Sequence, residues 1–229
     1  MRQPVIEFLC APEDDGVIAR PMPAGEALPT WFRKLQAVDA DQVSTANNAL
    51  TIKRCMPFLD AMTLGWILPL CATVRLEIAE NGARLDAGWD FDRTMVSFHN
   101  PEQVRGHPLQ PRPPAKVHNY WSIRTPKGWS CLFAPLLNRD SAPIEILSGV
   151  VDTDQYHAHI HFPFFATGPD GRYTLEKGLP LVQVIPFQRT TARADIRAER
   201  PAETASRVKI LRATQSGDGW YRLNARAKR

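Results

Sequence analysis

Residues 123–160 read IRTPKGWSCLFAPLLNRDSAPIEILSGVVDTDQYHAHI. Apolar and β-branched runs in this stretch are separated by turn chemistry, first Pro126-Lys127-Gly128 and then Asn138-Arg139-Asp140-Ser141. The rhythm continues downstream with Gly168-Pro169-Asp170-Gly171 and Lys177-Gly178. It predicts strands over 117–124, 129–135, 143–151, 156–165, 172–176 and 180–187. Short strands with a turn roughly every ten residues indicate an all-β sandwich or barrel.

Upstream, Val74, Leu76 and Ile78 alternate with Thr73, Arg75 and Glu77 over residues 72–79. This is the two-residue period of a half-buried strand. Asn81-Gly82 supplies a hairpin turn, and residues 83–91 return as the partner strand. Residues 60–71 (DAMTLGWILPLC) read as a buried helical turn running into a strand, and 50–59 (LTIKRCMPFL) as a strand ending at Pro57. Residues 4–10 read as a short strand. Pro29 followed by Trp31, Phe32 and Leu35 reads as a short amphipathic helix. The proline-rich run 100–116 is a long surface loop, or an edge segment in extended form. Residues 200–214 form one helix, and the last dozen residues are loose. Three regions follow: an N-terminal extension (1–80) packed on the core, a β core (81–189) and a basic C-terminal tail (190–229).

The composition agrees with a globular chain: 229 residues, 44% hydrophobic and 23% charged. Its 20 prolines disfavour long helices and suit strand ends and turns. The net charge is +4, with the positive excess gathered after Arg189. A basic tail can meet an anionic ligand or stay solvated. Trp220-Tyr221 within it could stack on bases, but no nucleic-acid module is recognisable, so nucleic acid is disfavoured as a partner. Cys10, Cys55, Cys71 and Cys131 lie far apart without CxxC spacing, which fits free, buried thiols in a reducing compartment. The first residues are too short and too acidic an apolar run for a signal peptide. No run approaches the roughly 20 apolar residues that span a bilayer. The expected location is the cytoplasm.

The turns fall in the order found in dUTPases, and the stretch 86–189 resembles their β-clip fold. Asp86-Ala87-Gly88-Trp89-Asp90-Phe91 resembles that family's first motif. Pro126-Lys127-Gly128 resembles its first turn, and Ala134-Pro135 the entry to its phosphate loop. Gly149-Val150-Val151-Asp152-Thr153-Asp154 resembles its hairpin, with Tyr156 displaced by Gln155; the run 177–183, ending in Gln183, resembles its last turn. The whole chain also resembles a family of phage and proteobacterial proteins marked by CMPFLDAMTLGWILPL and LLNRD, from which no activity is carried over. The dUTPase resemblance implies a mainly β, dUTPase-like distorted barrel or sandwich, with an N-terminal extension and a short C-terminal helix, assembling as a homotrimer. It also implies that Asp152 orients an attacking water, that Tyr156 stands behind a sugar, and that Gln183 reaches a phosphate. Two departures weaken inheritance of the reaction. The phosphate loop reads Pro135-Leu136-Leu137-Asn138, without its Ser and Arg, and Arg139 or Ser141 would serve only in a shifted register. The closing arm is missing, with Gly217-Asp218-Gly219-Trp220 a faint echo. The related deaminases need a Glu after the hairpin, where this chain has His159-Ile160-His161, so deamination is disfavoured.

The candidate ligand-binding set is therefore Asn138, Arg139, Asp154, Gln183 and Trp121, with Asp152 and Tyr156 as candidate catalytic residues. The carboxylates have a simpler role available, since Asp in a hairpin bonds the turn's own amides. His157, His159 and His161 would share one face of a strand and offer nitrogens to iron, zinc or copper. Same-face neighbours stand about 7 Å apart, so a pair with His99 or a distant carboxylate is more workable than all three. The six tryptophans are core or interface anchors, or line a ligand site; Tyr120-Trp121 beside the proline-rich loop is the pair to follow. Three readings stay open: a binder of a small, nucleotide-like molecule with no assigned reaction, a metal-dependent enzyme, and a non-catalytic homo-oligomer. No cofactor is identified.

Overall fold

The computed structural model describes residues 3–44, 49–140, 143–216 and 219–227. Two compact units emerge: Met1–Leu28 with Met62–Arg189, and Pro29–Ala61 with Thr190–Arg229. The first is the β unit and draws strands from both ends of the 1–80 segment.

The β unit is built from small antiparallel sheets and no closed barrel. β1 (Glu7–Leu9) pairs with β8 (Ser122–Arg124), and β2 (Met22–Pro23) pairs with β3 (Trp66–Pro69). β3 continues into a five-stranded sheet ordered β11-β9-β14-β3-β2, where β9 is Trp129–Ala134, β11 Gly149–Val151 and β14 Pro180–Gln188. A second sheet runs β10-β12-β7-β6, with β6 Val96–Phe98, β7 Ala115–Val117, β10 Ile144–Ile146 and β12 Phe162–Ala166. A third places β4 (Val74–Ala79) between β5 (Arg84–Trp89) and β13 (Gly171–Leu175).

Side-chain alternation explains the layers. Val74, Leu76 and Ile78 of β4 are buried and face the same core as Ile123, Phe133, Phe162, Phe164, Val182 and Val184. Each such side chain contributes about 1.5–3 kcal/mol by leaving water. β14 is central, and Leu181, Val182, Gln183 and Val184 are all buried because both faces are covered. The loop joining β4 and β5 takes four residues, with Glu80, Asn81 and Gly82 all left-handed. The Asp170 carboxylate accepts from the Asn81 and Gly82 amides at 2.9 and 3.0 Å, which fixes that costly turn. Gly65 must also be glycine: φ is +71°, and a Cβ there would sit 2.0 Å from the Val184 carbonyl oxygen.

The second unit holds α1 (Thr30–Lys34), a 3-10 turn at Ile52–Arg54, most of α2 (Met56–Thr63) and α3 (Pro201–Ser216). Phe32 stacks on Phe58 at 5.9 Å, and Lys53 donates to the Phe32 and Arg33 carbonyls, closing the end of α1.

The structure corrects several expectations. Within 50–59 only Leu50 makes a β-bridge, while 52–54 and 56–59 are helical, because Thr51 accepts from the Lys53 amide and starts a 3-10 turn, and Pro57 falls in the first turn of α2, where a missing amide costs nothing. Residues 157–161 are not a strand; β12 starts at Phe162, opposite Val117. Among the described residues at the end of the chain, Trp220–Ala225 are not loose: they coil into a turn closed by the Arg226 amide on the Tyr221 carbonyl and anchored by Arg226 on Asp60, and 228–229 lie outside the described residues. Cys55 is exposed, while all four thiols are free. β9, β13, β14, the β4–β5 pair, the helix over 201–216 and α1 follow the sequence reading, whereas 117–124 is extended strand only at its ends, 143–151 divides into β10 and β11 of different sheets, and β2 and β6 were not foreseen. Ser141, Gly217 and Asp218 lie outside the described residues. Among the described residues, no helix is long and apolar enough to cross a membrane.

Candidate functional site

The sequence-predicted residues fall into separate clusters. The first surrounds the turn after β11. Asp152 caps this turn through its carbonyl, which accepts from the Gln155 and Tyr156 amides. Its carboxylate is 60% exposed, accepts from the Ser130 hydroxyl at 2.6 Å and lies 3.2 Å from Arg189. Asp154 turns inward instead. It accepts from the Gly128 amide at 2.8 Å and from both terminal nitrogens of Arg189. The Arg189 guanidinium, with the Gly128 amide adding, holds the Asp154 carboxyl down at about 2. Arg189 also donates to the Trp129 carbonyl and the Ser130 hydroxyl, and its amide donates to the Gly128 carbonyl. One arginine thus ties the end of β14 to the Pro126-Lys127-Gly128 turn and the β11 hairpin. Sequence reasoning missed Arg189, since a single Arg at a strand end carries no spacing signal. Tyr156 is half-exposed on the same turn.

The second cluster is structural. Gln183 is fully buried, donating to the Leu64 carbonyl at 2.7 Å and accepting from the Leu137 amide at 3.0 Å. Arg139 donates to the Ala27, Ala24 and Met62 carbonyls at 2.5, 3.2 and 2.8 Å. Burial lowers its pKa. Asn138 is exposed in a left-handed conformation that turns the chain after Leu137. Gln183 stands opposite Ala134 on β9, whereas the hairpin residue Val151 stands opposite Cys131, three residues along the same strand. Gln183 and Arg139 therefore do not converge with Asp152.

The histidines form a third group. His157 and His159 are exposed in irregular chain. The His161 ring lies 4.2 Å from the His118 ring, and its Nδ1 accepts from the Asn119 amide. Burial, with His118 and Lys116 adding, pushes His161 down to about 4. His118 is lowered by burial and meets the Ser97 hydroxyl at 2.8 Å. His99 bonds Gln103 at 2.9 Å, apart from this group. Among the described residues, no three His, Cys, Asp or Glu side chains come together as a metal site.

The fourth region is a groove of about 560 Å³ whose walls include Phe8, Cys10, Trp66 and Trp121. Its rim carries Asp15 and Arg20, paired at 2.7 Å and largely exposed. The walls are fixed by backbone pairing: Phe8 sits opposite Ile123 in the β1–β8 pair, and Trp66 opposite Pro23 in the β2–β3 pair. Phe8 and Trp66 rings meet at 5.9 Å. Trp121 is clamped on three sides. Its indole donates to the Ala19 carbonyl at 2.9 Å, its amide donates to Asn119, and Asn119 donates back to its carbonyl. Behind the rim, buried Asp14 receives Arg93, which lies over the Phe91 and Tyr120 rings. Burial, then the charges of Asp15 and Asp14, push the Cys10 thiol up. Trp121 and Trp66 were legible as candidate aromatics, but Phe8, Cys10, Asp15 and Arg20 carried no sequence signal, because segments far apart in the chain, such as Ala19 and Trp121 or Phe8 and Ile123, build the groove.

No family model matches the chain, and no curated protein matches it. Among solved structures it is similar to a dUTPase from phage phi11 of S. aureus, at 12% identity and a TM-score of 0.41, over 85% of this chain and 97% of that one. It is also similar to a Staphylococcus bacteriophage 80alpha dUTPase, at 13% identity and a TM-score of 0.40, over 86% and 97% of the two chains. The EIAV dUTPase is a third, at 11% identity and a TM-score of 0.35, over 59% and 83%.

Proposed function

We propose that the β unit binds a small planar, nucleotide-like molecule in the groove between Phe8, Trp66 and Trp121. The supporting observation is the groove itself: about 560 Å³, within the usual roughly 300–1,000 Å³ of ligand sites, with aromatic walls and two charged groups at one edge. A flat base would lie against the half-buried Phe8 and Trp66 rings, with the buried Trp121 indole as the floor behind them. Arg20, released from Asp15, would meet an anionic group, and Asp15 would accept from a ring amine or sugar hydroxyl. The rigid hold on Trp121 lowers the ordering cost of binding.

Thermal-shift and tryptophan-fluorescence titrations across nucleosides and nucleotides test this reading. At least one class should quench the fluorescence and raise the melting temperature. Trp121→Ala should abolish the effect, and Arg20→Gln should weaken nucleotides more than nucleosides. No response to any member of the panel would end it.

A second reading keeps the site at Asp152. The exposed Asp152 carboxylate beside Arg189 and half-exposed Tyr156 offers a polar edge with one aromatic ring. In this reading Asp152→Asn and Tyr156→Ala remove ligand binding, while Trp121→Ala leaves it intact.

A further inference from the structure

We propose that the second unit is a single-stranded nucleic-acid site, with Trp220 and Tyr221 as the stacking platform and Arg54, Lys209, Arg212 and Arg222 as the phosphate contacts. The sequence disfavoured this partner because no module was recognisable in the basic tail. The structure joins that tail to residues 29–61, which the sequence reading had treated as a separate extension.

The charge balance is the first support. The unit spans Pro29–Ala61 and Thr190–Arg229 and holds 14 Lys and Arg against 7 Asp and Glu, a net +7. The β unit holds 14 against 17, a net −3. Most of the acidic groups in the basic unit are already taken. Asp60 holds Arg226, Glu203 holds Arg197 and Arg200, Glu199 holds Arg207, and Asp195 holds Arg197. Among the described residues, Arg54, Lys209, Arg212 and Arg222 are exposed and in no ion pair. Uncompensated like charge destabilises a compact unit and draws an anionic partner.

The second support is the cleft. Arg54, Cys55, Met56, Trp220, Tyr221 and Arg222 line a recess of about 360 Å³. Its platform is fixed. The Leu223 amide donates to the Gly219 carbonyl, Asn224 donates to the Trp220 carbonyl, and Arg226 grips the buried Asp60 carboxylate. Thr214, near the end of α3, lines the same recess, while Lys209 and Arg212, three residues apart, share a different face of that helix, which a bound strand reaches by continuing past the recess. Aromatic rings between two arginines in no ion pair, with Lys209 and Arg212 on a neighbouring face of α3, match the demands of stacked bases on an extended charged backbone. A compact small anion would leave most of these cations unmet.

The third support is the poverty of the unit's own core. Phe32 and Ala49 are its buried apolar residues among those described, while Trp31, Ile210, Leu211, Tyr221 and Leu223 are exposed. The unit presents side chains rather than hiding them.

Fluorescence anisotropy of a labelled oligothymidylate titrated with the full chain tests the proposal. Binding should fall with salt at a log–log slope of about −3 for four phosphate contacts, or about fiftyfold between about 50 and about 200 mM. Trp220→Ala should weaken binding at least about fivefold, Trp220→Phe should keep most of it, and Lys209→Glu with Arg212→Glu should flatten the salt slope. Tyr221→Ala, at an exposed ring, gives a second reading should Trp220→Ala misfold. No binding at about 50 mM salt overturns the proposal. So does binding that neither aromatic variant weakens, or equal affinity for heparin and oligothymidylate, since charge alone would then account for the contact.

Discussion

Gln183→Leu separates a structural glutamine from a ligand-binding one. Gln183 lies on the central strand β14, between Ala134 of β9 and Ile67 of β3, with no exposed surface. Its side chain bridges two loops by accepting from the Leu137 amide and donating to the Leu64 carbonyl. Leucine fills most of the same space, so the cavity contribution is small. At least these two hydrogen bonds are lost, each worth about 1 kcal/mol net. The half-buried Leu137 amide is then stranded at a further cost of about 1 kcal/mol or more, whereas the carbonyl of exposed Leu64 can recover a water. The sum is about 3 kcal/mol, or a fall in melting temperature of about 6–12 °C for a chain of this length. Urea unfolding followed by tryptophan fluorescence reads the change, and an unchanged slope would place it in stability rather than in the denatured state. Gln183→Glu should also destabilise, less so as pH falls, because a protonated carboxyl can donate to Leu64 and an ionised one cannot. A stability within about 0.5 kcal/mol of wild type for Gln183→Leu would refute the bridging role.

Gly65→Ala should cost about 3 kcal/mol or more, since a left-handed alanine is strained and its Cβ meets the Val184 carbonyl oxygen of the central strand; soluble yield and urea midpoint report it. The Asp154 carboxyl titrates near 2 in the fold, below its unfolded value of about 3.9. Its stabilising contribution is complete above about pH 4 and is lost as pH falls toward 2, so Arg189→Gln should make acid unfolding less steep in that window. His161, held near 4 against about 6.5 when unfolded, favours the neutral ring. Its contribution is complete above pH 6.5 and is lost as pH falls from 6.5 to 4, and His161→Phe should flatten melting temperature against pH across that range; an unchanged profile would remove His161 as the cause.

The sequence by itself determined most of the β architecture. Alternation in Val74, Leu76 and Ile78, and turns such as Pro126-Lys127-Gly128, are local physics, because a two-residue period and turn-forming residues act within a few positions of themselves. The strand reading of 50–59 failed where apolar content without a period was ambiguous, and the capping by Thr51 decided for helix. The histidine strand failed because sheet pairing, not composition, starts β12 only at Phe162. Only the tertiary structure decided what the candidate side chains touch. Gln183 and Arg139 look like ligand donors in sequence, yet backbone carbonyls and an amide from distant segments occupy them. Phe8, Arg20, Trp66 and Trp121 become one groove, and Arg54 joins Trp220, only because chain segments far apart in sequence pack side by side. Side-chain partners at long range depend on the packed fold as a whole, and no local pattern in the sequence records them.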